Sequence, residues 1–225
     1  MKRIHRSAFN LLALLCMPAL LTISACKRGE DDPFLSLKTR DGRIIGEWKV
    51  ESIETKEEIN NTTNSDVVNT TVEVKYTSGG DETRDSTIVT NNSSYKRTYT
   101  TKSPTIRINI MKNGILETVE QYGDLTVTGT NITGAITTVQ EIKNTVKGYW
   151  KWGTDDKSKS SIVLGTGRLG LVIAGPSSTF RIQQLKSKEV VLVMDEYQKT
   201  DDVYPGIISS YEWKGYTKIV LTPNE

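Results

Sequence analysis

The 225-residue sequence predicts an all-β protein: an antiparallel barrel of lipocalin-like architecture or, alternatively, an open β-sandwich, with one short N-terminal helix. Three observations lead there. β-branched and aromatic residues alternate with Thr, Glu and Lys in short runs. Gly, Asn, Asp and Pro punctuate those runs at short intervals. Helical periodicity is nearly absent. The composition, 36% hydrophobic and 25% charged, is that of an ordinary globular chain. A formal charge of +2 offers no broad basic surface, so nucleic acid is not an expected partner.

The N-terminus carries an address. Lys2, Arg3 and Arg6 precede an apolar run from Ala8 to Ile23 that Pro18 interrupts, followed by small Ser24 and Ala25 and then Cys26. The run is too short and too broken to span a bilayer, so residues 1–25 read as a cleaved signal segment with its cut between Ala25 and Cys26. Residues 26–45 read as a polar tether, acidic at Glu30, Asp31 and Asp32, ending in a short helix around Leu35–Arg43. Processing removes three cations, His5 and Cys16. The mature chain then has 26 basic and 27 acidic side chains, no histidine and the single Cys26. Disulfides, cysteine nucleophiles, Ser-His-Asp triads, histidine bases and Cys/His zinc sites are thereby excluded.

Residues 46–225 form the body. Trp48, Val50 and Ile53 open the first strand after Gly46, and Val72, Val74 and Tyr76 alternate with polar neighbours. Ile106, Ile108 and Ile110 do the same, and Asn113-Gly114 then supplies type I′ hairpin chemistry before a strand at Ile115–Tyr122. The stretch 132–152 reads as strand ending in Trp150 and Trp152. Ile162–Leu164, Leu169–Ala174, Thr179–Leu185, Val190–Tyr197 and Trp213–Leu221 complete a series of about ten. Residues 54–103 stand apart, with 12 Thr, 6 Asn and 6 Ser and few large apolar side chains. They read as an insertion of long hairpins, polar on both faces, or of mobile loops.

Two resemblances follow from these residues. Ile23-Ser24-Ala25-Cys26 resembles the bacterial lipobox, which implies diacylglycerol on the Cys26 thiol, cleavage, and acylation (palmitate-type) of the new N-terminus. Two or more chains anchor a protein stably where one does so marginally. The acidic triplet Glu30-Asp31-Asp32 resembles the surface-export signal of Bacteroidota lipoproteins, implying an outer-membrane, cell-surface location, with a periplasm-facing one as the alternative. Gly46-Glu47-Trp48 resembles the Gly-x-Trp signature of lipocalins, in which the tryptophan plugs one barrel end beside an arginine. Arg181 is the expected partner here and Arg168 the second choice. The second lipocalin motif is not recognisable.

Chemistry-bearing motifs are sparse. Gly165-Thr166-Gly167-Arg168-Leu169-Gly170 matches the dinucleotide fingerprint in letters, but a β-like run follows it where the fingerprint needs a helix, so it reads as a turn and no cofactor is expected. Tyr149, Trp150, Trp152, Tyr211 and Trp213 could line a calyx for a small apolar or glycan-derived ligand, or simply pack a core. Carboxylate pairs that a glycosidase could draw on occur at Asp155-Asp156, Asp195-Glu196 and Asp201-Asp202, and adjacent acids beside lysines are usually solvated loops. The leading expectation is a ligand-binding envelope lipoprotein. An assembly or adhesion scaffold that contacts an envelope protein comes second, and a carboxylate-dependent hydrolase third.

Overall fold

The computed structural model describes residues 39–91, 93–130, 134–153, 159–165, 177–204 and 207–224. The expectations for Ala25, Cys26, Glu30, Asp31, Asp32, Arg168, Asp155-Asp156 and Leu169–Ala174 therefore fall outside the described residues. Helix α1 (Arg40–Ile44) leads into β1 (Gly46–Thr63), β2 (Asp66–Thr77), β3 (Glu82–Thr90), β4 (Ser94–Thr101), β5 (Thr105–Ile110), β6 (Ile115–Tyr122) and β7 (Leu125–Gly129). The chain continues through β8 (Ile136–Thr138), β9 (Ile142–Trp152), β10 (Ser161–Gly165), β11 (Ser178–Lys186), β12 (Glu189–Tyr204) and β13 (Ile207–Pro223).

Eight of the thirteen strands close an antiparallel barrel in the order β1-β5-β6-β9-β10-β11-β12-β13, with β13 returning to β1. The closed-barrel expectation holds. The remaining five form a branch, because β1 is long enough to serve two sheets. Its first residues, Gly46–Lys49, pair with β5, whereas Ser52–Thr63 pair with β2. β2, β3, β4, β7 and β8 then extend sideways as a meander. β13 follows β1 along nearly its whole length, from Trp48↔Pro223 to Thr63↔Ser209.

Period-two alternation sets the two faces. Val50, Ile53, Ile106, Ile108, Ile110, Leu116, Ile162, Leu164, Phe180, Ile182, Leu185, Val190, Leu192, Ile219 and Leu221 point inward and are all at most 2% exposed. With Trp48, Trp150 and Tyr76 they make one contiguous cluster. Among the described residues these side chains pack against one another across the barrel, as the interior of a small eight-stranded barrel can. Outside, Lys49, Glu51, Arg107, Glu117, Lys147, Lys151, Arg181 and Lys218 are partly or fully exposed. That polarity is the reverse of a membrane-spanning barrel, whose outer band is apolar.

Two local features depart from the sequence reading. Asn113-Gly114 does close the β5–β6 hairpin, with Met111 N–H donating to Ile115 O at 2.9 Å, but only Gly114 has positive φ (81°). A three-residue loop ending in a left-handed glycine replaces the type I′ turn, which needs positive φ at both central residues. The Thr-rich hairpins are long, as expected, but not polar on both faces. Val72, Val74 and Tyr76 are buried by the barrel rim, and Gly129 (φ 155°) lets β7 close on β4, since a Cβ there would lie 2.2 Å from Lys96 O.

Candidate functional site

The residues expected to plug the barrel are split by the structure. Trp48 is buried at the base, and its Nε1 donates to Ile44 O at 2.8 Å, tying β1 to α1. Gly46 precedes it with φ 153°, a conformation that L residues rarely adopt. Arg181 is not its partner. Phe180 and Ile182 take the inward positions, so alternation sends Arg181 outside, where it pairs with Asp195 at 3.7 Å. At this end Arg43 of α1 donates from Nη1 to Leu185 O at 2.5 Å.

The five aromatics proposed to line a calyx occupy three places. Trp150 and Trp152 face the base and meet edge-to-face with ring centroids 5.7 Å apart. Trp150 Nε1 donates to Met111 O at 2.7 Å and Trp152 Nε1 to Asp41 Oδ1 at 2.7 Å. Lys159 bonds the other Asp41 oxygen and sits over the Trp152 ring at 5.3 Å. The Lys159 hydrogen bond, aided by that of Trp152 and opposed by partial burial, holds the Asp41 carboxyl below the ordinary range. With both indole N–H groups satisfied inside the protein, this cluster is a structural closure. Tyr149 points outward, half exposed, its ring laid over Gly165 so that a Cβ there would meet it at 2.2 Å.

Tyr211 and Trp213 lie at the other end, on the part of β13 that pairs with the branch-bearing half of β1. Trp213, Ile59, Thr70, Ile88 and Tyr95 stand opposite one another across five strands, on the face continuous with the barrel interior. The adjacent row on the opposite face reads Lys214, Glu58, Thr71, Thr87 and Lys96. The face of Ile59 and Ile88 is mixed, with Glu57, Arg84 and Arg97 beside its apolar residues, and is only partly covered: Ile88 is 38%, Tyr95 43% and Ile136 58% exposed. The Trp213 ring lies flat over Gly215, where a Cβ would come within 2.5 Å of it. Burial pushes the carboxyl of Glu57, on this face, above its ordinary range, against the pull of Arg84.

The carboxylate pairs assemble no catalytic dyad among the described residues. Asp195 and Asp201 sit on exposed ion pairs with Arg181 and Lys199, and Glu196, next to Asp195 in a strand, points to the other face. Among the described residues no group of three or more metal-ligating side chains converges.

Sequence reasoning missed a cleft of about 490 Å³ where the branch leaves the barrel. Three connections build it: Lys102-Ser103 between β4 and β5, Gln121–Asp124 from β6 into β7, and Val139–Glu141 between β8 and β9. Backbone bonds pin them together, Lys102 N to Asp124 O at 2.9 Å and Gly123 N to Lys102 O at 3.1 Å. Asp124 Oδ1 also accepts from Gln140 N at 3.1 Å. No local motif flags these residues, because the topology alone brings three distant turns together.

No protein-family model matches the chain, and no curated protein does. Among solved structures it aligns with that of Ail, the attachment invasion locus protein of Yersinia pestis, in complex with the heparin analogue sucrose octasulfate. Identity is 10%, over 79% of this chain and 99% of that one, with a TM-score of 0.19. A superposition that poor carries no argument about fold or function.

Proposed function

We propose that this chain is a lipid-anchored envelope protein with a non-catalytic barrel serving as scaffold and the branched sheet serving as its recognition surface, in an assembly or adhesion role. The packed cluster of inward side chains is the observation that carries the reading. A calyx needs an apolar cavity, whereas the described inward side chains pack into one cluster, and Ile88, Tyr95 and Ile136 stay exposed on the branch. The anchor rests on the lipobox-like Ile23-Ser24-Ala25-Cys26, and an outer-membrane, surface-exposed location on Glu30, Asp31 and Asp32.

Native mass spectrometry of the protein purified from its own envelope tests the scaffold reading. The expected spectrum shows the chain with its lipid and no apolar molecule held in the barrel. A retained apolar ligand that is lost on substituting inward residues such as Phe180 would overturn it. Cys26→Ser tests the anchor: the variant should leave the membrane fraction with its fold unchanged, and full membrane retention would refute lipidation there.

A further inference from the structure

We infer that the cleft at the fork between barrel and branch is a binding site for a neutral oligosaccharide. The inference rests on the reading of the branch as the recognition surface, and gives that surface a ligand class.

Shape comes first. The cleft lies in the size range of small-ligand sites. Its walls are set by main-chain bonds between three connections, so the unliganded site is already formed. Gly123 has no room to change, since a Cβ would meet Lys102 O at 2.8 Å.

The chemistry of the lining then selects the ligand. Its side chains are mostly amide, carboxylate, hydroxyl and ammonium: Gln121, Asp124, Gln140, Glu141, Ser103 and Lys102, with Tyr122 and Val139. A sugar hydroxyl donates and accepts at once, so recognising several in a row needs donors and acceptors side by side, which amides and carboxylates supply. Val139, 85% exposed, offers the apolar contact that the C–H face of a pyranose requires. The surface these residues present is mostly carbon with polar tips, which matches a ligand that has both C–H faces and hydroxyls.

Charge narrows the class further. Among the described residues lining the cleft Lys102 is the one cation, and Asp81 already binds it at 2.7 Å. Asp124 and Glu141 make the remainder acidic, which disfavours sulfated sugars, uronates and phosphates. Glu141 Oε1 meets the Gln121 amide at 3.5 Å, a long contact that leaves both free to turn toward a ligand.

Isothermal titration of the full-length protein, in a detergent with no sugar headgroup, tests the site. The probes are maltotriose, cellotriose, mannotriose and chitotriose, with a sulfated heparin trisaccharide and a trialanine peptide as contrasts. At least one neutral trisaccharide should bind. Gln140→Ala and Glu141→Gln should each weaken it about tenfold, the loss of one good hydrogen bond, with melting unchanged. Lys151→Ala, on the outer wall of the barrel, should bind as the parent does, and Tyr95→Ser probes the rest of the branch. No binding by any neutral probe at about 10 mM overturns the proposal. So does binding that ignores both cleft substitutions, or a preference for the sulfated sugar or the peptide. If Tyr95→Ser abolishes binding while the cleft variants keep it, this site fails but the branch remains the recognition surface. If the bound molecule sits in the barrel, the parent reading fails as well.

Discussion

Trp48→Ala is the most informative single perturbation of the scaffold. The indole is 4% exposed, and a buried tryptophan removes roughly 200 Å² from water. At about 25 cal/mol per Å² that is near 5 kcal/mol. Large-to-small core substitutions of this kind measure about 3–5 kcal/mol. Trp48→Phe separates the two roles of the side chain. It keeps most of the packing and removes only the Nε1 bond to Ile44 O, for a loss of about 1–2 kcal/mol. For a domain of this size each kcal/mol lowers Tm by roughly 2–4 °C, so the alanine variant should melt about 6–20 °C below the parent. Urea denaturation of the Cys26→Ser background, followed by tryptophan fluorescence and far-ultraviolet circular dichroism, reads both variants. Equal losses for Phe and Ala, or a loss under about 1 kcal/mol for Ala, would refute the assignment of Trp48 as the plug at the base.

Other consequences can be checked alongside it. The Asp41 carboxyl is lowered in the fold, so its contribution is complete above the unfolded value of 3.8 and is lost as pH falls through the lower folded value. Asp41→Asn should therefore cost stability at neutral pH, by under about 1 kcal/mol because the site is partly solvated, and the gap should close in strong acid. Glu57 has the opposite sign: its folded value is raised, so stability falls as pH rises through it, and Glu57→Gln should stabilise at pH 7 but not below the unfolded value of 4.5. A pH-independent effect in either variant would contradict the assignment. Gly129→Ala should unpair β7 from β4, seen as faster hydrogen exchange at Val127 and Tyr99 while Leu192 and Ile219 in the barrel stay protected. Gly165→Ala collides with the Tyr149 ring, so Tyr149→Ala should rescue it; additive losses would show that the ring does not lie there in solution.

The barrel was legible because its strands alternate cleanly. Ile115–Tyr122 was expected and found with the same bounds, and Ile106, Ile108 and Ile110 all face inward as their spacing requires. Trp150 buried beside an exposed Tyr149 follows from the same alternation. The branch was not legible. On β3 and β4 the half-covered rows consist largely of Thr, Ser and Tyr, whose hydropathy does not separate one face from the other. The arginine choice failed because a chain position near the right strand says nothing of which side faces in. The cleft could not be read at all, since Lys102, Asp124 and Gln140 carry no mutual pattern until three connections converge.

The shared strand β1 also fixes how the molecule bears load. The segment before Thr39 joins the chain at the base, whereas the branch hangs from the far half of the same strand. A pull on that segment against the rest of the barrel would run along β1 and load its bonds to β13 lengthwise. Register pairs from Trp48↔Pro223 to Thr63↔Ser209 would then resist together, where a pull across the strands would open them one at a time. Sequence-distant neighbours thus make β1 and β13 a shear joint against a pull along their axis.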